Sequence, residues 1–169
     1  EEPVCPSCGC GSADPAGGLR CGNCRRQELH FARVRSVTPF EGPGKILVEK
    51  LKYAGRTEYA GVMATGMRSV AARHLREEKI DSAIPVPLHP VRERERGFNQ
   101  SAIVARELSR STGIATHLSA IRRAKRTPPL MGMSLLKRRR LVAGAFKVVD
   151  RPAIAGKTVV LVDDVLTTG

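Results

Sequence analysis

Tryptophan is absent from this chain, and its 169 residues hold only two tyrosines and four phenylalanines. A core without aromatics must be built from Val, Ile, Leu and Ala, which suits a parallel sheet buried on both faces. No apolar run approaches the ~18 residues that cross a bilayer. The first residues are two glutamates with no apolar stretch behind them, unlike a secretory signal. A cytoplasmic protein without membrane insertion is therefore expected. No cysteine follows residue 24, and no acid occurs between residues 122 and 140. The four histidines, at 30, 74, 89 and 117, are scattered, and no Ser/His/Asp or Cys/His set suggests nucleophilic catalysis. Internal repeats and low-complexity tracts are lacking as well.

The apolar content is 41 %, that of a globular chain. The length suffices for one α/β domain with a small appendage. Residues 1–31 carry three arginines against four acids, a net of −1. The whole chain carries +13, so the remainder carries +14. A field of that sign attracts phosphate groups, on a nucleotide-sugar ligand or on nucleic acid.

All five cysteines lie within the first 24 residues. Cys5 and Cys8 form one C-x2-C pair, Cys21 and Cys24 another, with twelve residues between them. Each pair can close a tight turn that aims two sulfurs at one ion, and four thiolates are what structural Zn²⁺ accepts. A redox C-x2-C is disfavoured, because such a motif opens a helix after a strand. Cys10 adjoins Cys8 too closely to replace it and reads as a free thiol. With all four positions filled, the metal would be structural or part of a partner-docking module.

Helical spacing over 45–54 and 57–77, and an apolar run from Ile80 to Leu88 ending in prolines, predict two helices and then a strand. Asn99 is placed to cap a helix reaching about Ser111, with Gly113 beyond it. Residues 33–39 alternate like a short strand. Residues 114–121, 145–149 and 158–162 are expected as further strands, and 91–97 as an arginine-dense loop. Strands alternating with helices predict a parallel α/β sheet. Eight Lys/Arg fall within 122–140. That segment is read equally as a flap over a substrate, a nucleic-acid strip or a solvated face.

The strand Val159–Val162 runs into Asp163-Asp164 at its carboxyl end, where α/β sheets bind ligands. Two carboxylates can accept a vicinal diol, while Thr167, Thr168 and the turn ending at Gly169 offer donors to a phosphate. Gly156-Lys157-Thr158 is not a P-loop, because Arg151 stands where that pattern needs glycine and a strand follows where it needs a helix. Arg92, Arg94 and Arg96 alternate with Glu93 and Glu95. In an extended loop they would share one side and could grip phosphate, or they could be a self-paired surface. Lys52 and Tyr53 could reach a ligand or cap a helix.

Residues 159–169 resemble the phosphoribosyl pyrophosphate (PRPP) motif of type I phosphoribosyltransferases. The whole chain resembles the competence protein F (ComF) family. The resemblance rests on the four-cysteine ribbon, Leu51-Lys52-Tyr53 with Gly55-Arg56, Val86-Pro87-Leu88-His89-Pro90, the run from Arg92 through Arg94 and Arg96 to Gly97-Phe98-Asn99-Gln100-Ser101, Thr127-Pro128-Pro129, Ala145-Phe146 and the loop itself. It implies a type I phosphoribosyltransferase-like parallel sheet flanked by helices over 32–169, behind a zinc ribbon over 1–31. It also implies that the family's loop continues past Gly169 into a helix, so that the C-terminal end of the fold is missing here. By the same resemblance, Asp163, Asp164, Val165, Leu166, Thr167, Thr168 and Gly169 bind PRPP carrying Mg²⁺. Arg92, Arg94, Arg96 and Gly97 are candidates for its pyrophosphate. A role in DNA uptake during natural transformation is implied, with single-stranded DNA and uptake-machinery proteins as partners, and a homodimer is compatible with the fold. Phosphoribosyl transfer itself is left open, since no residue stands out as a general base; the alternative is a DNA-binding or adaptor protein that reuses the fold. Leu130 and Leu141 depart from the family pattern, which has amides there.

Overall fold

The computed structural model describes residues 4–11, 19–26, 29–74, 78–128 and 132–166. Chain contacts group it into two units, Glu1–Thr38 and Pro39–Thr168.

In the first unit, Val4 and Gly11 bridge antiparallel, and the Cys5 N–H donates to the Cys10 carbonyl at 2.8 Å. The turn between them needs Gly9. Its φ is +71°, and a Cβ there would stand 2.9 Å from the Val34 carbonyl oxygen. The second cysteine pair closes as a short helix, α1 (Gly22–Arg25). The expected strand at 33–39 is not formed. Val34 N–H donates to the Ser7 carbonyl and Arg35 to the Pro6 carbonyl. One backbone bond is an anchor, not a ladder, and Pro39 can donate to none.

The second unit is mixed α/β. Helix α2 (Gly42–Tyr53) begins with Pro43 in its first turn, where a missing N–H costs nothing. Helix α3 (Tyr59–His74) follows, then β1 (Ser82–Pro85). Strand β1 pairs in parallel with β4 (Val159–Val162), in the register Ser82↔Val159 through Pro85↔Val162. On its other side β1 bonds to residues 115–117: Ala83 N–H donates to Ala115 and His117 N–H to Ala83. The strand expected over 114–121 is reduced to that contact.

Both faces of the β1–β4 pair are used. Ala83 and Val162 join Val48, Leu51, Met63, Val104 and Leu108 from the helices. Ile84, on the opposite face, packs with Ala120 and Ala153. This is the aliphatic core that the shortage of aromatics dictates. Helix α5 (Gln100–Thr112) contributes most of the helical side and has well-defined ends. Asn99 Oδ1 accepts from Ser101 N–H at 3.0 Å, and Gly113 leaves the helix at φ 75°.

Residues 90–96 form a helix, α4 (Pro90–Arg96), and not a loop. His89 Nδ1 caps it by accepting from Val91 N–H, Pro90 starts it and Gly97 at φ 86° stops it. Glu93 in the first turn and Arg94 and Arg96 in the last complement the helix dipole. The alternating charges that suggested an extended loop are instead good helix formers. Beyond α5, β2 (Ile121–Arg123) and β3 (Phe146–Val148) pair antiparallel, and α6 (Leu135–Val142) lies between them in sequence. The basic stretch thus begins in a strand and ends in a helix, and residues 129–131, including Leu130, lie outside the described residues.

Asn99 joins two elements, because its Nδ2 also donates to the Val86 carbonyl at 3.2 Å. Asn99→Ala is expected to cost about 1–2 kcal/mol from the lost cap. Urea unfolding followed by circular dichroism measures it, and an unchanged midpoint would contradict the capping role.

Candidate functional site

The sulfurs of Cys5, Cys8, Cys21 and Cys24 all lie within 4.8 Å of one another. A tetrahedral zinc site with Zn–S near 2.3 Å has sulfur–sulfur edges of about 3.8 Å, and Cys8 and Cys21 are 3.7 Å apart. Burial works against a thiolate at Cys5, yet backbone N–H groups at Cys21, Cys8 and Ser7 outweigh it and bring that thiol down to about 6. Burial pushes Cys24 up, so its ionisation calls for a nearby cation. Four such thiols can hold a metal ion such as zinc. Cys10 Sγ lies 3.3 Å from Cys8 Sγ. The hydrogen bond with the neighbouring Cys8 sulfur, together with burial, pushes Cys10 up to about 12. Cys8 Sγ donates to it, and Cys10 lies beside the four-cysteine group without being part of it.

The acid pair follows β4 directly. Val86 N–H donates to the Val162 carbonyl, so the chain leaves β1 and β4 at the same level. Asp163 Oδ1 accepts from Ser101 Oγ at 2.9 Å and from Asp164 N–H at 2.9 Å. Ser101 is fully buried in the first turn of α5. Asp164 Oδ2 stands 2.9 Å from Lys52 Nζ, near the end of α2. The Asp164 side chain is only 4 % exposed and that of Lys52 19 %. Apart from the lysine, Asp164 Oδ2 has no polar partner among the described residues.

Asp163 keeps an open edge to solvent, although most of the volume around its carboxyl is protein. That burial, with the Asp164 charge second, raises it to about 6; Ser101 and Lys52 oppose the shift. Arg123 of β2 is also in electrostatic reach of Asp163, while burial lowers the guanidinium. Arg123 lies over the Phe146 ring at 5.4 Å and donates to Thr127.

The arginines of α4 do not act as one set. Residues two apart on a helix point about 200° from each other. Arg92 pairs with Glu95 at 3.5 Å near the surface, and Arg94 is exposed. Arg96 turns inward, donates to Gln100 Oε1 and lies 6.0 Å from the Tyr53 ring. Tyr53 adjoins Lys52, so Arg96 is the one of the three linked to the acid pair's surroundings. Gly97 serves as the helix stop. Val165 packs on the core and Leu166 is exposed. Thr167, Thr168 and Gly169 lie outside the described residues.

The same chain-wide pattern recurs in known proteins. The DNA utilization protein YhgH of Salmonella typhimurium is 33 % identical over 98 % of this chain and 73 % of its own length. Competence protein F of Haemophilus influenzae is 32 % identical over 97 % of this chain and 74 % of its own. The chain belongs to the ComF family. Competence protein ComFC of Bacillus subtilis is 26 % identical over 98 % of the chain and 67 % of its own length. No protein-family model and no solved structure matches. Among the described residues of this ComF-family chain, no helix is long and apolar enough to cross a membrane.

Sequence reasoning placed Ser101 inside a motif without a role and left Lys52 between two. Both touch the acid pair. The signal available for Ser101 was its place two residues after a capping asparagine, which turns its hydroxyl to the amino end of α5.

The raised pKa of Asp163 carries a sign. A carboxyl held above its unfolded value of 3.8 favours the fold while protonated. That contribution is complete below about pH 4 and is lost as pH rises through about 6. Asp163→Asn should therefore gain thermal stability relative to wild type between pH 4 and 7. Paired melting curves across that range measure it, and a gap that shrinks as pH rises would contradict the assignment.

Proposed function

We propose that this chain binds phosphoribosyl pyrophosphate at the segment from Asp163 to Gly169 and acts in DNA utilization during competence. The observation that carries the reading is the acid pair at the carboxyl end of a parallel strand, with Asp163 open to solvent and held by a buried serine. Asp163 accepts ribose hydroxyls, and Thr167, Thr168 and Gly169 receive the 5-phosphate. Arg96 is the arginine best placed for the pyrophosphate end. Among the described residues the acid pair forms no ready cage for Mg²⁺, since Asp164 is already engaged by Lys52. When bound, the ion would be carried by the ligand's phosphate groups and would neutralise their charge. Binding is the claim, not turnover: His89 is spent as a helix cap. The role in DNA utilization is supported by the names of the relatives.

A second reading, single-stranded DNA held on the basic surface, has its own support. Arg122 and Lys147 are directly opposite each other in the β2–β3 register. Like charges in that position repel unless an anion lies across them, and no acid occurs between Glu107 and Asp150.

Calorimetry with Mg²⁺ and PRPP separates the two. Wild type is expected to bind, and Asp163→Asn to bind about 10- to 100-fold more weakly for loss of a charged acceptor. If instead single-stranded DNA binds with a steep salt slope and PRPP neither binds nor competes, the second reading holds.

The cysteine cluster is read as a structural zinc site in the same protein. Metal analysis should find about one zinc per chain. Cys24→Ser should lose it and Cys10→Ser should keep it. Retention by the first or loss by the second would overturn the ligand set.

A further inference from the structure

Cys10 stands outside the group of four cysteines, yet its sulfur lies closer to that of Cys8 than the Cys21 sulfur does, at 3.3 Å against 3.7 Å. It also neighbours the Cys21 sulfur. Cys10 is exposed and Cys8 half-buried, while Cys5 and Cys24 are buried. Cys8 is thus a ligand thiol that solvent reaches, with an accessible fifth thiol beside it.

The backbone keeps these two sulfurs together. Cys5 N–H donates to the Cys10 carbonyl at 2.8 Å, and Gly9 N–H donates to the Cys5 carbonyl at 2.9 Å. Gly9, the single residue between them, takes φ +71°, where a side chain would be strained. Both cysteines therefore sit on one tight turn. Forming a disulfide takes the sulfurs from 3.3 Å to about 2.0 Å, a short closure once Cys8 leaves a metal.

We propose that Cys8 and Cys10 are a thiol-oxidation site, at which a hydroperoxide joins the two sulfurs as a disulfide and so removes Cys8 from the metal set. The metal loss rests on the zinc reading above; the pairing of sulfurs stands on the geometry of the turn. With hydrogen peroxide, the Cys8 thiolate attacks one oxygen, becomes a sulfenic acid and releases the other oxygen as hydroxide. The Cys10 sulfur then attacks the Cys8 sulfur, and the Cys10 proton leaves with the hydroxyl as water. The two sulfurs give up two electrons in all, and the peroxide takes both. Cys10 is the resolving thiol, which stops oxidation at a reversible stage. A disulfide sulfur is no thiolate, and three thiolates leave a structural zinc site one ligand short. An exposed disulfide spanning a single residue is of the labile kind that thiols reduce readily.

The test uses the full chain loaded with zinc, as wild type and as Cys10→Ser. Zinc content before oxidation shows that the ribbon of the variant has formed. Both receive the same dose of hydrogen peroxide, a chromogenic chelator follows the metal, and mass spectrometry after alkylation locates the oxidised residues. Trypsin cuts after Arg20, so Cys5, Cys8 and Cys10 fall in one peptide and Cys21 and Cys24 in another. Wild type should lose its zinc as the first peptide loses two hydrogens, with Cys8 and Cys10 alone protected from alkylation. A dithiol with added zinc should then restore both thiols and metal. Cys10→Ser, lacking the resolving thiol, should carry Cys8 on to sulfinic acid and stay metal-poor after the same treatment. A Cys10 still open to alkylation once zinc has left, or a disulfide between any other two cysteines, overturns the site. Equal recovery of zinc by the two proteins overturns the resolving role of Cys10. If the chain takes up no zinc, the metal reading fails and the release with it, while the mapped disulfide alone decides the pairing.

Discussion

The parallel pairing of β1 with β4 is the constraint on which the rest of the second unit depends. It brings together residues almost eighty positions apart, and a slip of one residue would turn every side chain to the other face. In the observed register Ala83 and Val162 face the helices, while Ile84 faces Ala120 and Ala153. The Val86 N–H to Val162 carbonyl bond extends the ladder by one step. That step brings the chain leaving β1 level with the start of the acid pair. Asn99 then binds the Val86 carbonyl with one side-chain atom and caps α5 with the other. The cap places Ser101, and Ser101 reaches Asp163. A strand register is thus converted into the orientation of one carboxylate through two short side chains.

The site is held by interactions that oppose the stability of the fold as well as by some that favour it. A buried ion pair adds little by itself, because desolvation offsets attraction, yet losing one partner costs about 3–5 kcal/mol. Lys52 and Asp164 are therefore more a device for location than for stability. Asp163, ionised at neutral pH, works against folding, since its surroundings favour the protonated form. Carboxyls perturbed in this way cluster at binding and catalytic sites. The thiol cluster shows the same logic. Burial raises Cys24 while donors lower Cys5, an arrangement that is uneasy for four thiols and natural around a dication.

Much of this could be read from the chain alone, and the failures have physical causes. Asn99, Gly113 and the helical spacing of Leu47, Leu51, Met63 and Met67 report local preferences, and those elements formed where they predict. The C-x2-C pairs likewise encode geometry at short range. Residues 90–96 misled because alternating Arg and Glu have no hydrophobic face, so periodicity is silent. The decisive signals there were the cap, the proline and the stopping glycine at the ends. The 33–39 segment alternates properly but forms no ladder among the described residues, where Val34 N–H bonds to the Ser7 carbonyl. Strand β3 formed within the expected 145–149, but its partner β2 was hidden at the edge of a basic stretch that buries little, so the antiparallel pairing was missed. Lys52 and Asp164 lie 112 positions apart, and no local pattern carries such a contact. It appears only once α2 and β4 are packed.

One apparent contradiction resolves in terms of range. The chain outside residues 1–31 carries +14, yet the proposed ligand site opens with two acids. At physiological ionic strength a charge is felt over about 8 Å. The cations distributed over the surface therefore raise the local concentration of phosphates without defining where they dock. Within the site the balance is different. A free phosphate approaching Asp163 meets a carboxylate with Asp164 behind it, and only Lys52 and Arg123 to compensate. Repulsion rises with the anion's charge and gains nothing in return. On the proposed reading a sugar phosphate would be treated differently, because its hydroxyls would donate to the open Asp163 oxygen while its phosphate lay further along the chain. For the proposed ligand, then, the acid is a filter: the basic field recruits anions in general, and Asp163 retains those that bring hydroxyl donors at a fixed distance from their phosphate.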